Sequence, residues 1–300
     1  MENKTVVGWD ASAQAEAALR WAVAREAARK GTVALVFVVE DRNDSLGEDE
    51  AERQLTEARA ALRDAAQRVR GMAPQCEVTT VAVRGSVADT LLDYVYDEWV
   101  LAVGAVDRVS DRPRSSRSVG VRLAAAALGP VAVVPDRGDE RGTGIVVGID
   151  GSPAGDTAAA FAAEEAVRLG EQLTVVHAWA EPVMMEGQPI LDPQFVAALS
   201  GESAQILDAA KALAVRAAPG VSLATRSTHG QPVHALLRAS EGARALVLGS
   251  RGLRGIRRVL LGSVSRDLVM RSDCPTIVVG RAPEPFAIPD PADAARAFAR

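Results

Sequence analysis

Ala245-Leu-Val-Leu-Gly249-Ser-Arg-Gly252, followed after nine residues by Gly262-Ser263-Val264-Ser265, is the stretch from which the fold of this 300-residue chain can be read. The apolar run predicts a buried strand. The residues from Ser263 onward predict a helix, with Val264, Leu268 and Arg271 on nearby turns. Strand, glycine-rich loop and helix N-terminus together make an anion site, because the first backbone N–H groups of a helix lack partners and its dipole adds partial positive charge. Glycines let a bound anion approach the backbone without a Cβ in the way. Ser263 adds a hydroxyl, and Arg251, Arg254, Arg257 and Arg258 surround the loop with charge. No Gly-Lys-Ser/Thr stands at P-loop spacing, and the pattern is not Gly-x-Gly-x-x-Gly.

Working outward, the same units occur twice. Thr5-Val-Val-Gly8-Trp-Asp10-Ala-Ser12 matches Ile145-Val-Val-Gly148-Ile-Asp150-Gly-Ser152 at an offset of 140. Val33 to Val38 matches Leu173 to Ala178. At an offset of 145, Val100-Leu-Ala-Val-Gly104 matches Ala245 to Gly249, and Gly129-Pro-Val-Ala-Val-Val134 matches Cys274-Pro-Thr-Ile-Val-Val279. The period is far longer than a solenoid repeat and describes a duplicated domain. The expected limits are 1–137 and 142–281, joined by the polar, glycine-rich segment from Asp136, with a Pro-rich tail over 282–300.

Each half reads as five apolar strands alternating with helices. Ser12 and Ser152 are expected N-caps, and Gly31 and Gly170 are expected left-handed helix ends. Long helices are predicted over about 47–71 and 193–217. Such alternation means an α/β fold: two tandem doubly wound domains, each a five-stranded parallel sheet with helices on both faces. Right-handed crossovers favour the order 3-2-1-4-5, whose switch point lies between the first and fourth strands. Asp150 and Gly249, far apart in sequence, would flank that crevice.

Bulk properties narrow the classes. The net charge of −5 and pI near 5.4 argue against a general nucleic-acid binder. Cys76 and Cys274 fall in no metal spacing, which fits a reduced, cytoplasmic protein. No apolar run approaches the roughly 18 residues of a membrane helix, and the N-terminus enters a strand almost at once, so neither a membrane span nor a signal peptide is expected. The three histidines, His177, His229 and His234, form no Ser-His-Asp set and no paired metal spacing. Neither a catalytic residue nor a metal ligand is therefore assigned.

From residue 4 to about 281 the chain resembles a tandem universal stress protein. The resemblance rests on Val-Gly-Ile-Asp150-Gly-Ser, Gly230-Gln-Pro232, the Gly249/Gly252/Gly262-Ser263 loop and Cys274-Pro-Thr-Ile-Val-Val. It implies ATP at the switch-point crevice of the second half. Asp150, Gly151 and Ser152 would lie beside the nucleotide, and Ala178 and Trp179 would face the adenine. Gly249, Arg251 and Gly252 would approach ribose and phosphates, and Gly262, Ser263, Val264 and Ser265 would hold the phosphates. It also implies pairing through the fifth strands, either in a homodimer or between the two domains of one chain, with Val131 to Val134 and Thr276 to Val279 as candidates.

The first half departs from the loop. Gly104 and Ser118 are kept, but Asp107 replaces Gly252 and Arg117 replaces Gly262. Asp10, Gly104, Ser118 and Val119 are its residual candidates. An aspartate facing phosphates is repelled, and an arginine Cβ fills the close approach. Asp10 and Asp150 have two further readings: they can act on Mg²⁺ carried by the phosphates, or they can be plain Asp-x-Ser turn residues. The expected function is that of an ATP-binding stress-response regulator acting through dimerisation or an unidentified protein partner, with at most slow hydrolysis. The alternatives are a nucleotide-independent interaction module and a genuine ATPase.

Overall fold

Thr5-Val-Val and Ile145-Val-Val carry branched side chains on both faces, which suits strands covered on both sides. The computed structural model describes residues 4–40, 48–95, 99–106, 118–136, 142–180, 193–250 and 261–280. In the first half the elements are β1 (Lys4–Gly8), α1 (Ala13–Ala27), β2 (Thr32–Glu40), α2 (Glu48–Met72), β3 (Glu77–Gly85), α3 (Val87–Leu92), β4 (Trp99–Gly104), α4 (Val119–Ala126) and β5 (Pro130–Val134). The second half repeats them as β6 (Ile145–Ile149), α5 (Pro153–Leu169), β7 (Leu173–Trp179), α6 (Pro193–Ala217), β8 (Leu223–His229), α7 (Pro232–Ala239), β9 (Ala245–Gly249), α8 (Ser263–Arg271) and β10 (Thr276–Val279).

All ten strands form one sheet, in the order β3-β2-β1-β4-β5-β10-β9-β6-β7-β8. Pairing is parallel within each half and antiparallel where β5 meets β10. There Thr276 lies opposite Val133, Ile277 opposite Ala132 and Val278 opposite Val131. The fifth strands therefore pair inside one chain. One face carries α1, α2, α5 and α6 over a single apolar cluster that runs through both halves, from Val7 and Leu35 to Val175 and Ile277. The other face carries α3 and α4 over one cluster and α7 and α8 over another. Alanine lets α5 sit close to the sheet: Ala158, Ala159, Ala162, Ala163 and Ala166 are fully buried.

The helix starts follow from their caps. Ser12 Oγ accepts from the Ala15 amide at 3.1 Å, and Ser152 Oγ from the Gly155 amide at 3.2 Å. One expected helix end is corrected. Gly170 closes α5 in the left-handed region at φ 68°, but Gly31 does not do this for α1. Lys30 takes the left-handed turn at φ 54°, and the Gly31 amide bonds back to the Glu26 carbonyl at 3.1 Å, as Glu171 bonds to Ala166 at 2.9 Å. Lys30 is thus the counterpart of Gly170, and the glycine stands one residue late. The same holds at the crevice turn, where Ala11 adopts φ 64° and its counterpart Gly151 adopts 73°.

Beneath α1 and α5 lies a buried ionic cluster. The Arg25 guanidinium donates through Nε and Nη2 to both carboxylate oxygens of Glu165, each at 2.8 Å. Its Nη1 donates to Glu26 at 2.6 Å and to Thr5 at 2.9 Å. Arg168 grips Glu165 at 2.9 and 3.1 Å and reaches Glu26 at 3.3 Å. Burial alone would raise the Glu165 carboxyl, but the two guanidiniums and their hydrogen bonds outweigh it and hold it down at about 2.

Lys30→Gly and Ala11→Gly should each stabilise the fold by about 0.5–1 kcal/mol, read as a higher urea midpoint. Removing the left-handed penalty of roughly 1–2 kcal/mol outweighs the added unfolded-state entropy of about 0.4–1 kcal/mol. Glu165→Gln should cost about 3 kcal/mol, because two buried guanidiniums lose their shared carboxylate. The Glu165 carboxyl sits lower in the folded protein than its ordinary 4.5. Its stabilisation is therefore complete above about pH 4.5 and fades as pH falls toward 2. Denaturation at pH 7 and pH 3 should show a smaller acid loss in Glu165→Gln than in the wild type.

Candidate functional site

A crevice of about 210 Å³ opens at the carboxyl ends of β6 and β9, where strand order runs away on either side. Leu248, Leu236 and Ala178 supply an apolar floor. Asp150 and Ser152 form one wall, and the first turn of α8 forms the other. Gly262 is the N-cap of α8, and among the described residues no side chain caps that turn. Its first amides, which have no partner within the helix, lie among the lining residues Gly262, Ser263, Val264 and Ser265. Ser263 is exposed. Ser265 is buried and donates to the Gly249 carbonyl at 3.3 Å, tying α8 to the end of β9.

The two crevice glycines serve different ends. A Cβ on Gly249 would stand 2.3 Å from the Ala154 carbonyl oxygen. This glycine is required by the contact between β9 and the start of α5, although it also lines the crevice. Gly104 meets Gln14 in the same way at 2.3 Å. Among the described residues nothing lies within 4 Å of where a Cβ on Gly262 would stand, so its lack of a side chain leaves that side of the crevice open and supports no contact with them. Gly151 needs its positive φ, and a side chain there would meet Ile206 of α6 and not the crevice.

Asp150 is held in turn chemistry: its Oδ1 accepts from the Ser152 amide at 3.1 Å and from the Ser152 hydroxyl at 2.5 Å. Asp10 accepts from the Ser12 amide at 3.0 Å. Either aspartate thereby orders the turn that starts its helix. The carboxylate of Asp150 nonetheless lines the crevice.

Trp179 is not among the lining residues. Alternation along β7 turns Ala178 to the crevice and Trp179 to the α6 side, where its Nε1 donates to Ser227 at 2.9 Å and its ring lies 4.9 Å from that of His229. The expectation that Trp179 faces the adenine is therefore not matched by the placement of its side chain. Arg251 and Gly252 fall outside the described residues, as do Asp107, Arg117, residues 181–192 and the tail. In the first half Ser118 is the N-cap of α4, again without a side-chain cap bond, and Val119 opens that helix. Trp9 is buried on Phe37, and its Nε1 has no hydrogen-bond partner among the described residues.

His177 aligns with Phe37 on a buried strand, which points to a satisfied core position. It holds one, buried, but its serine partners do not stand out in the sequence. His177 Nδ1 lies 2.8 Å from Ser203 Oγ, which lies 2.8 Å from Ser227 Oγ. Burial pushes the His177 imidazole down, with Asp150 and Glu202 pulling it back up. In the first half Phe37 stands opposite Ala82 where His177 stands opposite Ser227. The signal was therefore present in the repeat, as polar residues of one half matched to apolar residues of the other. Among the described residues no three His, Cys, Asp or Glu side chains gather as a metal would require. No described helix is long and apolar enough to cross a membrane.

The comparisons with known proteins agree with this architecture. The model of the universal stress protein family matches residues 1–135 and again 143–280. A universal stress protein of Mycolicibacterium smegmatis is 28% identical over 93% of this chain and 97% of its own. One of Mycobacterium tuberculosis is 28% identical over 91% of this chain and 95% of its own. The crystal structure of a universal stress protein from Archaeoglobus fulgidus superposes with a TM-score of 0.68 at 18% identity, covering 94% of this chain and 99% of that one, which speaks to the fold alone. With its two matched repeats and one shared sheet, the chain belongs to the universal stress protein family.

Proposed function

We propose that the second half binds ATP in the crevice between β6 and β9, and that occupancy governs how the protein meets itself or a partner. The observation that carries this reading is the uncapped first turn of α8 beside an open glycine at the mouth of an apolar crevice. The amides of Ser263, Val264 and Ser265 and the Ser263 hydroxyl suit phosphate oxygens. The floor of Ala178, Leu236 and Leu248 suits a flat apolar base. Asp150 stands where it can accept from ribose or base, and Mg²⁺ can accompany the phosphates. Arg251 and Gly252 complete the loop in this reading.

The first half is the diverged copy: Asp107 and Arg117 occupy the two glycine positions. No lysine at P-loop spacing and no evident general base accompany the loop, so hydrolysis is slow or absent. The protein works in the cytoplasm, without nucleic acid or membrane. A homodimer or a protein partner reads the nucleotide state of the Arg-rich loop.

Titration calorimetry with ATP and Mg²⁺ should give one site per chain. Gly262→Val fills the open crevice and should weaken binding roughly a hundredfold, as expected for two lost charge-assisted contacts of about 1.5 kcal/mol each. Its stability should fall by only about 1 kcal/mol, the usual cost of replacing an N-cap glycine. Gly249→Ala meets a backbone carbonyl and should destabilise the fold by about 1–3 kcal/mol whatever the ligand. Two sites per chain would show that Asp107 and Arg117 tolerate ATP. Absence of binding by the wild type would leave the nucleotide-independent interaction module, and multiple-turnover phosphate release would establish the ATPase.

A further inference from the structure

Arg25 and Glu165 occupy the same place in the two copies. Each stands thirteen residues beyond its helix cap, Ser12 or Ser152, and the two are 140 residues apart, the offset of the repeat. Residues that are equivalent in the halves and also touch one another must lie on the pseudo-twofold axis. The seam gives the same axis independently. Ala132 lies opposite Ile277, and each is the second residue after its proline, Pro130 or Pro275. The axis therefore passes through the strand pair and through the ion pair beneath it.

The strands say little about which partner to accept. Pro130-Val-Ala-Val-Val134 against Thr276-Ile-Val-Val279 is a short pairing of mostly small and β-branched residues. A slip of two residues keeps every side chain on its face, and β5 could pair with a second β5 much as it pairs with β10. The ion pair is more exacting. Both Arg25 donors on the axis side meet both oxygens of Glu165, with 8% and 3% of the two side chains exposed. Two first halves brought together would still be neutral, with two Arg25 and two Glu26. The group facing each Arg25 across the axis, however, would be another guanidinium in place of a carboxylate. Two second halves would likewise be neutral, with two Glu165 and two Arg168, but would set one Glu165 carboxylate against the other across the axis. Buried ion pairs seldom add net stability over an apolar filling, and their attested use is to fix register and partner.

We infer that the Arg25–Glu165 pair is the partner-selecting element of the seam: it makes each half accept the unlike half and refuse its own copy. The surface formed by α1 and β5 fits α5 and β10, and a second copy of the chain can enter the seam only by offering its unlike half.

The test uses the full chain. Ala132→Cys places a thiol on the axis, where β5–β5 pairing between two chains would join two such thiols and pairing within a chain would set the thiol against Ile277. Chains are refolded together at high concentration under mild oxidation, and disulfide-linked dimer is read on a non-reducing gel. The level given by chains without the introduced cysteine is subtracted. A132C alone should give little dimer. Adding R25Q/E165Q should raise it roughly tenfold, and adding the reversed pair R25E/E165R should return it to the low level. If R25Q/E165Q does not regain the wild-type circular dichroism spectrum, R25M/E165M provides a second uncharged pair. The inference is overturned if the uncharged pair that folds gives no more dimer than A132C alone. It is equally overturned if the reversed pair cross-links as heavily as the uncharged one.

Discussion

Every residue of β5 and β10 is buried, and this constraint shapes the rest of the molecule. Strands covered on both faces cannot also stand as bare edges, because their unpaired amides and carbonyls would seek another chain. The antiparallel junction gives both strands a neighbour at once. It also merges the core beneath α1, α2, α5 and α6 into one body, so neither half has a separate apolar interior on that side. Among the described strands the edges left are β3 and β8, whose exposed positions are largely polar or charged.

Within this frame, close approach of backbone to backbone builds the crevice. Gly249 lets β9 run against the first turn of α5, and the Asp150–Ser152 turn fixes where that helix starts. Ser265 then anchors α8 to the end of β9. The two helix starts are thereby held over the same strand ends, one capped by Ser152 and one left uncapped at Gly262. The difference in capping, more than the glycine count, separates a packing junction from a place where an anion can sit.

The sequence carried the duplicated α/β plan because periodicity and Asp-x-Ser signals are local. It also carried the identity of most crevice residues, because they end strands or begin helices. Other features depended on geometry that a single chain position does not reveal. Lys30 in a left-handed turn was hidden because Gly31, next to it, looked like the natural helix end. Trp179 was misplaced by one residue of strand alternation, which turns Ala178 and Trp179 to opposite faces. The Arg25–Glu165 pair joins elements of separate halves. Nothing in an amphipathic pattern distinguishes a buried arginine from a solvated one until the partner helix is in place. The Ser203–Ser227 pair became meaningful only against Ala82, its apolar counterpart opposite Phe37.

The antiparallel seam has a consequence for how the molecule faces its surroundings. Because the halves run in opposite directions, their switch points open at opposite ends of the strands. They lie four strand positions apart in the sheet order, or about 19 Å across at roughly 4.8 Å per strand. A homodimer of one domain would show the same cleft at both ends. Here one end shows Gly262 at the start of α8 and the other Ser118 at the start of α4, so the molecule is polar along its strands. Anything that docks against one end meets a different chemistry from anything that docks against the other.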